Sequence, residues 1–176
     1  MKVFLSFILL MLAGTSPLLA QKSIDTALKK WNKGTVPYTY ADTLAHHKNH
    51  IVLIDTRAKE EFQVSHLKEA FWTGYKEFEK DSVLARITDK NTPIVVYCSI
   101  GVRSEDIGEK LMALGYSDVK NLYGGIFEWV NKGYPVYDSK EEETNKVHAF
   151  NKHWGELLQK GERVYGDKDL STTNHK

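Results

Sequence analysis

Continuous apolar runs alternate with helical stripes through the middle of the chain, from residue 35 to residue 133. The runs Ile51 to Ile54 and Ile94 to Tyr97 suit strands that are buried on both faces of a parallel sheet, and Val119 to Tyr123 is predicted as the last parallel strand. From Ser104 to Leu114 the apolar residues recur at helical spacing. The alternation predicts an α/β fold in which helices cover both faces of a parallel central sheet of about five strands.

Shorter segments complete the predicted sheet. Thr35 to Tyr40 is predicted as a strand, and Pro37 favours a place at the sheet edge because proline has no N–H to donate. A short helix, a short strand and a longer helix are predicted over Ala41 to His47, Ala70 to Thr73 and Tyr75 to Ile87. Ligands of such sheets bind at the C-terminal ends of the strands, so a site is expected there.

A C-terminal extension, residues 139–176, follows the alternating region. Its apolar residues recur at helical spacing before Gly161, and they are Val147, Phe150, Trp154, Leu157 and Leu158. The spacing predicts a helix that packs its apolar stripe on the domain or docks a partner. From Gly166 onward the composition predicts disorder.

The N-terminal residues 1–20 resemble a secretory signal peptide. Lys2 is followed by the apolar stretch Val3 to Ala13, and Ala20 offers a small residue for cleavage before Gln21. We therefore expect an exported protein, periplasmic or secreted; the alternative is an uncleaved membrane anchor, for which the stretch is short. No cysteine lies near the cleavage site, which excludes a lipoprotein anchor. Residues 21–34 are predicted as an amphipathic lead-in to the domain.

Cys98 is the only cysteine in the chain, and it stands where the run Ile94 to Tyr97 ends. Gly101 can adopt a positive φ, which lets successive N–H groups of the short loop turn toward one point. These groups, the following helix N-terminus and Arg103 favour an anion, so we expect a thiolate at Cys98. A thiolate in a cradle of donors is a nucleophile. The alternative is an inert, apolar core thiol.

Three blocks of sequence together resemble the rhodanese-like (thiosulfate sulfurtransferase) family. They read V-L-I-D-T-R-A-K-E-E-F-Q-V-S-H-L, C-S-I-G-V-R-S and V-K-N-L-Y-G-G-I-F-E-W-V-N-K-G-Y-P-V. The resemblance runs from about Val36 to Tyr137, the length of one module, and implies a rhodanese-like domain over residues 35–138. It implies that Cys98 accepts a sulfane sulfur as a persulfide, which a second nucleophile then discharges.

The resemblance also assigns roles to the residues around the thiol. The N–H groups of the loop form the substrate-binding cradle, and the Arg103 side chain helps to bind the anion; the loop residues are Ser99, Ile100, Gly101, Val102 and Arg103. Asp55 and Arg57 of the D-T-R block are implied to support the loop from the strand end, and Ser104 from the helix. One interpretation of His66 is a catalytic base, but the resemblance favours a structural role for this residue.

Two features of the cysteine loop bear on its chemistry. The loop has six residues from Cys98 to Arg103. Relatives of this fold with one more residue resemble dual-specificity phosphatases and arsenate reductases, so the shorter loop favours sulfur over phosphate. Many family members carry a basic residue directly after the cysteine, where this chain has Ser99. The substitution removes a cation from the pocket and makes thiosulfate a less certain donor.

Composition narrows the range of partners. The chain has 176 residues, 41% of them hydrophobic, which suffices for the core of one domain with extensions. A formal net charge of +1 does not favour nucleic acid or an anionic membrane as a binding partner. His46, His47 and His50 lack further ligands at suitable spacing, so no metal site and no cofactor are expected. In an oxidising compartment the unpaired Cys98 leaves the mature chain with no internal disulfide.

The first functional hypothesis is therefore an exported sulfurtransferase that works through a Cys98 persulfide. Its partners would be a small-molecule sulfur donor of the thiosulfate or polysulfide type and a thiol or cyanide-like acceptor, with a protein acceptor also conceivable. The second hypothesis is a non-catalytic binding module that uses the C-terminal extension, including Trp154, as its interface. The third is a cysteine-dependent phosphatase-like enzyme, which the loop length disfavours.

Overall fold

The structure is a computed structural model, and it describes residues 17–46 and 51–166. Its strands are β1 Tyr38–Thr39, β2 Val52–Asp55, β3 Phe71–Trp72, β4 Ile94–Tyr97, β5 Val119–Leu122, β6 Val136–Tyr137, β7 Glu143–Thr144, β8 Lys146–His148 and β9 Glu162–Val164. Its helices are α1 Pro17–Trp31, α2 Ala41–Ala45, α3 Lys59–Val64, α4 Lys80–Arg86, α5 Arg103–Ala113, α6 Gly125–Asn131 and α7 Lys152–Gly155.

Five parallel strands form the central sheet in the order β1-β5-β4-β2-β3. The predicted α/β fold with a parallel five-stranded sheet is confirmed, and β1 lies at an edge, as Pro37 indicated. β4 is the central strand, and all four of its residues are buried. Its C-terminal end opens directly into the loop that begins with Cys98.

The alternation of side chains along β4 divides the core into two layers. Val95 and Tyr97 point into one layer with α6, whereas Ile94 and Val96 point into the other with α5. Such a two-sided core requires the continuous apolar sequence of β4, because neither face meets water. Val147 of the C-terminal extension lies in the same layer as α6, so the extension contributes to the core.

The C-terminal extension differs from the predicted helix. Val147 lies in β8, which pairs with β9 in parallel, and the only helix among the described residues of the extension is the four-residue α7. Phe150 adopts a positive φ of 63°, which interrupts any helix through this point. Asn151 then caps α7 by accepting a hydrogen bond from the N–H of Trp154 at 3.0 Å. The helical prediction is therefore wrong.

The predicted helix over Tyr75 to Ile87 is shorter in the structure. α4 covers only Lys80–Arg86, and the residues before it form a turn in which the N–H of Glu79 bonds the carbonyl of Thr73 at 3.2 Å. The hydroxyl of Tyr75 bonds Asp106 of α5 at 2.7 Å. The turn and the bond to α5 outweigh local helical preference over the first half of the segment.

The N-terminal segment is helical where it is described. Most of the predicted lead-in, up to Trp31, belongs to α1, and Ile24 and Leu28 are buried against the domain. Residues 1–16 of the predicted signal peptide, and most of the tail predicted to be disordered, lie outside the described residues. Within residues 17–46 and 51–166, no helix combines the length and the apolar character needed to cross a membrane.

Candidate active site

Cys98 lies between the end of β4 and the start of α5, and its side chain is only 2% exposed. The N–H of Gly101 donates a hydrogen bond to its Sγ at 3.1 Å. Ser104, in the first turn of α5, also favours the charged form of the thiol and so lowers its pKa. The thiol is therefore held at a helix N-terminus, where N–H groups and the helix dipole stabilise a negative charge.

Gly101 gives the loop its shape. Its φ is 105°, and a Cβ at this position would lie 3.2 Å from the carbonyl oxygen of Leu122, so a larger residue would strain the turn. Two amide side chains hold its carbonyl oxygen: Nδ2 of Asn121 donates at 2.8 Å and Nδ2 of Asn32 at 2.9 Å. The turn that presents an N–H to the sulfur is thus fixed from β5 and from the N-terminal segment.

The start of α6 holds the other side of the loop. The N–H groups of Ile126 and Phe127 donate to the carbonyl oxygens of Cys98 at 2.9 Å and Ser99 at 3.1 Å. This approach requires glycine at position 125, because a Cβ there would lie 2.3 Å from the Cys98 oxygen. Both of these loop carbonyls are therefore bonded to the start of α6.

A buried acid, Glu61 of α3, organises the polar side of the loop. Its carboxylate accepts hydrogen bonds from Nη1 and Nη2 of Arg103 at 2.7 and 2.9 Å. The Ser99 hydroxyl donates to the same carboxylate at 3.1 Å and accepts from Nη2 of Arg103 at 2.9 Å. The side chain of Glu61 is 2% exposed and that of Arg103 is 20% exposed. The cation predicted to bind an anion is therefore already paired.

The charges of this network shift the pKa of each member. Burial favours neutral Glu61, but the hydrogen bonds and charge of Arg103 outweigh it and lower the pKa of Glu61 to about 2. Burial also favours the neutral thiol, but the charge of Arg103 and the hydrogen bonds of Ser104 and Gly101 outweigh it, so the pKa of Cys98 is lowered. The environment of the loop thus shifts the Cys98 thiol toward its ionised form.

Asn121 and Ser104 form a second support beneath the sulfur. The Ser104 hydroxyl donates to Oδ1 of Asn121 at 2.8 Å. Asn121 is fully buried in β5. It is a supporting residue that sequence reasoning missed, and the signal was a polar residue at an inward position of the buried strand.

Asp55 and Arg57 form a fully buried ion pair behind the loop. Nη2 of Arg57 lies 2.6 Å from Oδ2 of Asp55 and donates to the carbonyl of Ser65 at 2.5 Å. Burial and the charge of Asp55 raise the pKa of Tyr97, the residue directly before Cys98. The pair therefore supports the end of β4 and the chain after α3, whereas Glu61 makes the direct contact with the loop. Sequence reasoning gave Glu61 no such role, although its place one turn after the D-T-R block was a signal.

His66 is bonded on both ring nitrogens away from the thiol. Its Nδ1 lies 3.1 Å from the carbonyl of Phe62, and its Nε2 lies 3.1 Å from Oε1 of Glu141. These contacts fit the structural role that the resemblance favours. His46 bonds the carbonyl of Asp42, whereas His47 and His50 fall outside the described residues. The described part of the chain contains no group of three side chains placed to hold a metal.

A pocket of about 260 Å³ opens onto the cysteine loop. Its floor consists of residues of the loop, including Cys98 and Arg103, and its wall consists of Trp31, Phe150 and Trp154. Trp31 ends α1, and the other two aromatic residues belong to the C-terminal extension. A small molecule in this pocket would contact the thiol on one side and aromatic rings on the other.

Both extensions are attached to the loop and its helix. The carboxylate of Glu105, buried in the first turn of α5, accepts hydrogen bonds from the backbone N–H groups of Lys33, Gly34 and Thr35 at 2.8, 2.7 and 3.1 Å. On the opposite side, the ring of Phe150 lies under the guanidinium of Arg103, 4.8 Å from centroid to Cζ. The aromatic wall therefore has a fixed position relative to the thiol.

Comparison with known proteins assigns this architecture to a family. The sequence profile of the rhodanese-like domain matches residues 38–132, which is more than half of the chain. The chain therefore belongs to the rhodanese-like domain family. The matched region contains the sheet, the cysteine loop and Glu61, whereas Trp31, Phe150 and Trp154 all lie outside it.

Similar proteins include named sulfurtransferases. Thiosulfate sulfurtransferase GlpE of Coxiella burnetii (strain RSA 331 / Henzerling II) is 29% identical over 82 residues, covering 47% of this chain and 74% of GlpE. Adenylyltransferase and sulfurtransferase UBA4 of Candida albicans is 34% identical over 98 residues, covering 53% of this chain. The match spans only 22% of the length of the Candida protein, so its whole activity does not transfer to this chain.

Solved structures support the same fold. The rhodanese-related protein from Thermoplasma volcanium has a TM-score of 0.50 and 26% identity, covering 57% of this chain and 96% of that protein. The BH2092 protein from Bacillus halodurans has a TM-score of 0.55 and 19% identity, covering 84% of this chain and 98% of that protein. The second likeness is one of fold alone.

Proposed function

We propose that this chain is a sulfurtransferase that carries sulfane sulfur on Cys98 as a persulfide. The thiolate attacks the outer sulfur of a donor, the donor's sulfur–sulfur bond breaks, and the electron pair leaves with the rest of the donor. A nucleophilic acceptor then attacks the outer sulfur of the persulfide and regenerates the Cys98 thiolate. The donor is of the thiosulfate or polysulfide type, and the acceptor is a thiol or a cyanide-like nucleophile.

One observation carries the proposal: the Cys98 sulfur lies at the N-terminus of α5, hydrogen-bonded by the N–H of Gly101, at the floor of an accessible pocket. Backbone donors that stabilise a thiolate also stabilise the persulfide anion that replaces it. The loop of six residues and the family relationship both agree with sulfur chemistry.

Mass spectrometry tests the proposal directly. After incubation with thiosulfate or inorganic polysulfide and removal of excess donor, the wild-type chain should retain one added sulfur atom on Cys98. Cys98→Ser should retain none, and because the chain has one cysteine, the site of addition is unambiguous. A wild-type chain that stays unmodified with every donor would overturn the proposal and favour a binding module.

We further propose that the chain is exported, on the strength of the signal-like residues 1–20. Cleavage before Gln21 would retain Ile24 and Leu28, which are buried against the domain, so the mature chain would keep its packing. Fractionation of the native host, followed by N-terminal peptide mapping, should place a chain beginning at Gln21 outside the cytoplasm. A cytoplasmic chain that retains Met1 would contradict this proposal.

A further inference from the structure

The wall of the pocket differs in chemistry from its floor. Trp31 and Phe150 are 57% and 37% exposed, and they are two of the four large hydrophobic residues that stand exposed among the described residues. Both border the same pocket, together with Trp154. Exposed aromatic rings gathered at one cavity mark a surface that gains free energy when a ligand covers it.

The charge at the pocket is already compensated. Arg103 is the only lining residue with a positive side chain, and Glu61 binds both of its terminal nitrogens. Its guanidinium also stacks on the ring of Phe150, which covers one face of the cation. A dianion entering this pocket would lose hydration without gaining a free cation, and such burial is costly. The N–H of Gly101 is already engaged with the sulfur of Cys98.

Size limits the ligand. A volume of about 260 Å³ is just below the range of about 300–1,000 Å³ for drug-sized ligands. It has room for one ring or a short alkyl chain, together with the sulfur atoms that must reach Cys98. A compact apolar group fits both the aromatic wall and the volume of the pocket, whereas a strongly hydrated anion fits neither.

We propose that the pocket selects an apolar organic sulfur compound, an aromatic or alkyl thiol and its hydropersulfide, as the partner in sulfur exchange. The inference rests on the proposed function and specifies its substrate class. The Cys98 thiolate attacks the outer sulfur of R–S–S–H, the S–S bond breaks, and R–S⁻ leaves with the electron pair. The proton stays on the transferred sulfur, giving Cys98–S–S–H. The reverse reaction delivers sulfur to R–S⁻, with the apolar group R against Trp31, Phe150 and Trp154.

The first test measures discharge of the loaded enzyme. Chain loaded with polysulfide is mixed with phenylmethanethiol or 2-mercaptoethanol, and loss of the added sulfur is followed by mass spectrometry. After correction for each thiol's rate with free cysteine hydropersulfide, phenylmethanethiol should react about ten-fold faster. Trp31→Ala should reduce this preference about 3- to 10-fold, since an aromatic contact contributes on that order. Equal corrected rates for the two thiols would overturn the inference.

Tyr40→Ala is the matched control for Trp31→Ala. Tyr40 is 55% exposed, nearly as much as Trp31, and it is not among the pocket's lining residues. The control should leave the preference unchanged. An equal drop in the preference for phenylmethanethiol in both variants would contradict the assignment of Trp31 to the pocket wall. Trp154→Phe keeps a ring in place and should retain most of the preference.

A binding arm separates failure of the inference from failure of the proposed function. Cys98→Ser is titrated with benzyl methyl sulfide, which cannot transfer sulfur, and with thiosulfate, using calorimetry. The sulfide should bind saturably, Trp31→Ala in the same background should weaken its binding about 3- to 10-fold, and thiosulfate should bind more weakly than the sulfide. If the sulfide binds but Cys98 never loads, the transfer reaction is wrong and the ligand class stands. If Cys98 loads and the sulfide does not bind, the ligand class is wrong.

Discussion

The two sides of Cys98 are built from different chemistry. On the inner side, Glu61, Ser99 and Arg103 form a buried polar network, and the N–H of Gly101 donates to the sulfur. On the outer side, Trp31 and Phe150 form an aromatic wall that is partly open to solvent. The inner network belongs to the family module, whereas the wall comes from segments outside it.

This contrast separates two tasks that one site must perform. The inner network sets the charge of the nucleophile, and it must be buried because water would weaken each electrostatic contact. The outer wall decides which molecule approaches, and it must be accessible. Changes to the inner side should therefore alter folding and thiol ionisation, while changes to the wall should alter selectivity alone.

The largest effect should follow from removing the buried acid. Glu61→Gln leaves the partly buried guanidinium of Arg103 without its counter-charge, and loss of a buried partner typically costs about 3 kcal/mol. Urea unfolding should show a decrease of that order in the free energy of unfolding. Glu109→Gln is the matched control, because Glu109 forms an exposed pair with Lys33 and should contribute little.

The pH dependence of stability sharpens this prediction. The pKa of Glu61 is about 2 in the folded chain against an ordinary value of 4.5, so its ionised form stabilises the fold above pH 4.5. That contribution should be lost as pH falls from about 4.5 toward 2. The difference in unfolding free energy between wild type and Glu61→Gln should narrow over this interval. If the difference in unfolding free energy between wild type and Glu61→Gln stays constant over this pH interval, the carboxylate charge is not the source of the stabilisation.

A smaller effect on stability is expected from Asn121→Ala. The change removes the donor that holds the Gly101 carbonyl and the acceptor of the Ser104 hydroxyl, inside a buried strand. Leaving buried polar groups unbonded costs about 1–3 kcal/mol. Thermal and urea unfolding should show the loss, and alkylation of Cys98 should slow as the turn loosens. Unchanged alkylation in a folded variant would mean that Asn121 does not position the loop.

Ionisation of the thiol gives a third test of the inner side. The rate of Cys98 alkylation by iodoacetamide should rise with pH about a midpoint below 9.0, the ordinary thiol value. Arg103→Gln removes the positive charge that favours the thiolate, so the midpoint should move upward by about one pH unit. Lys120→Gln removes an exposed cation and should leave the midpoint of the alkylation profile unchanged. A midpoint that does not respond to Arg103→Gln would contradict the role of this cation.

The smallest effect is expected from the wall when the donor is not apolar. Trp31→Ala should change the rate of Cys98 loading by thiosulfate by less than about two-fold, because a small hydrated anion gains little from an aromatic ring. The loading rate of this variant is compared with that of Tyr40→Ala by mass spectrometry. A ten-fold decrease in the rate of loading by thiosulfate would show that the wall also affects the reactivity of Cys98. The two sides of the site would then not have separate functions.

The backbone of the cysteine loop was predictable from the sequence, whereas the contact with Glu61 and the aromatic wall were not. The run Ile94 to Tyr97, the lone Cys98 and Gly101 follow local rules for strands, turns and helix starts, and the structure has them as expected. The contact between Glu61 and the loop joins residues 38 and 42 positions apart, and no local pattern encodes such a separation. The family resemblance supplied the module but not this ion pair.

The C-terminal extension shows why apolar spacing can mislead. Val147 and Leu158 are buried, as a helix face would be, but they reach the core through a two-stranded pairing and a one-turn helix. The spacing of apolar residues indicates which side chains are buried, but it does not fix the secondary structure, because several backbone conformations can bury the same residues. Asn151, a residue that favours helix starts, was the local signal that a new element begins there.

The most direct measurement is a single-turnover balance of sulfur. Wild-type chain is loaded with polysulfide, freed of donor, and treated with cyanide, and the thiocyanate released is counted against the chain. The account predicts about one thiocyanate per chain, with Cys98 returning to its unmodified mass, and none from Cys98→Ser. Equal thiocyanate from Cys98→Ser, or no sulfur retained by the wild type, would contradict the claim that Cys98 carries the sulfur.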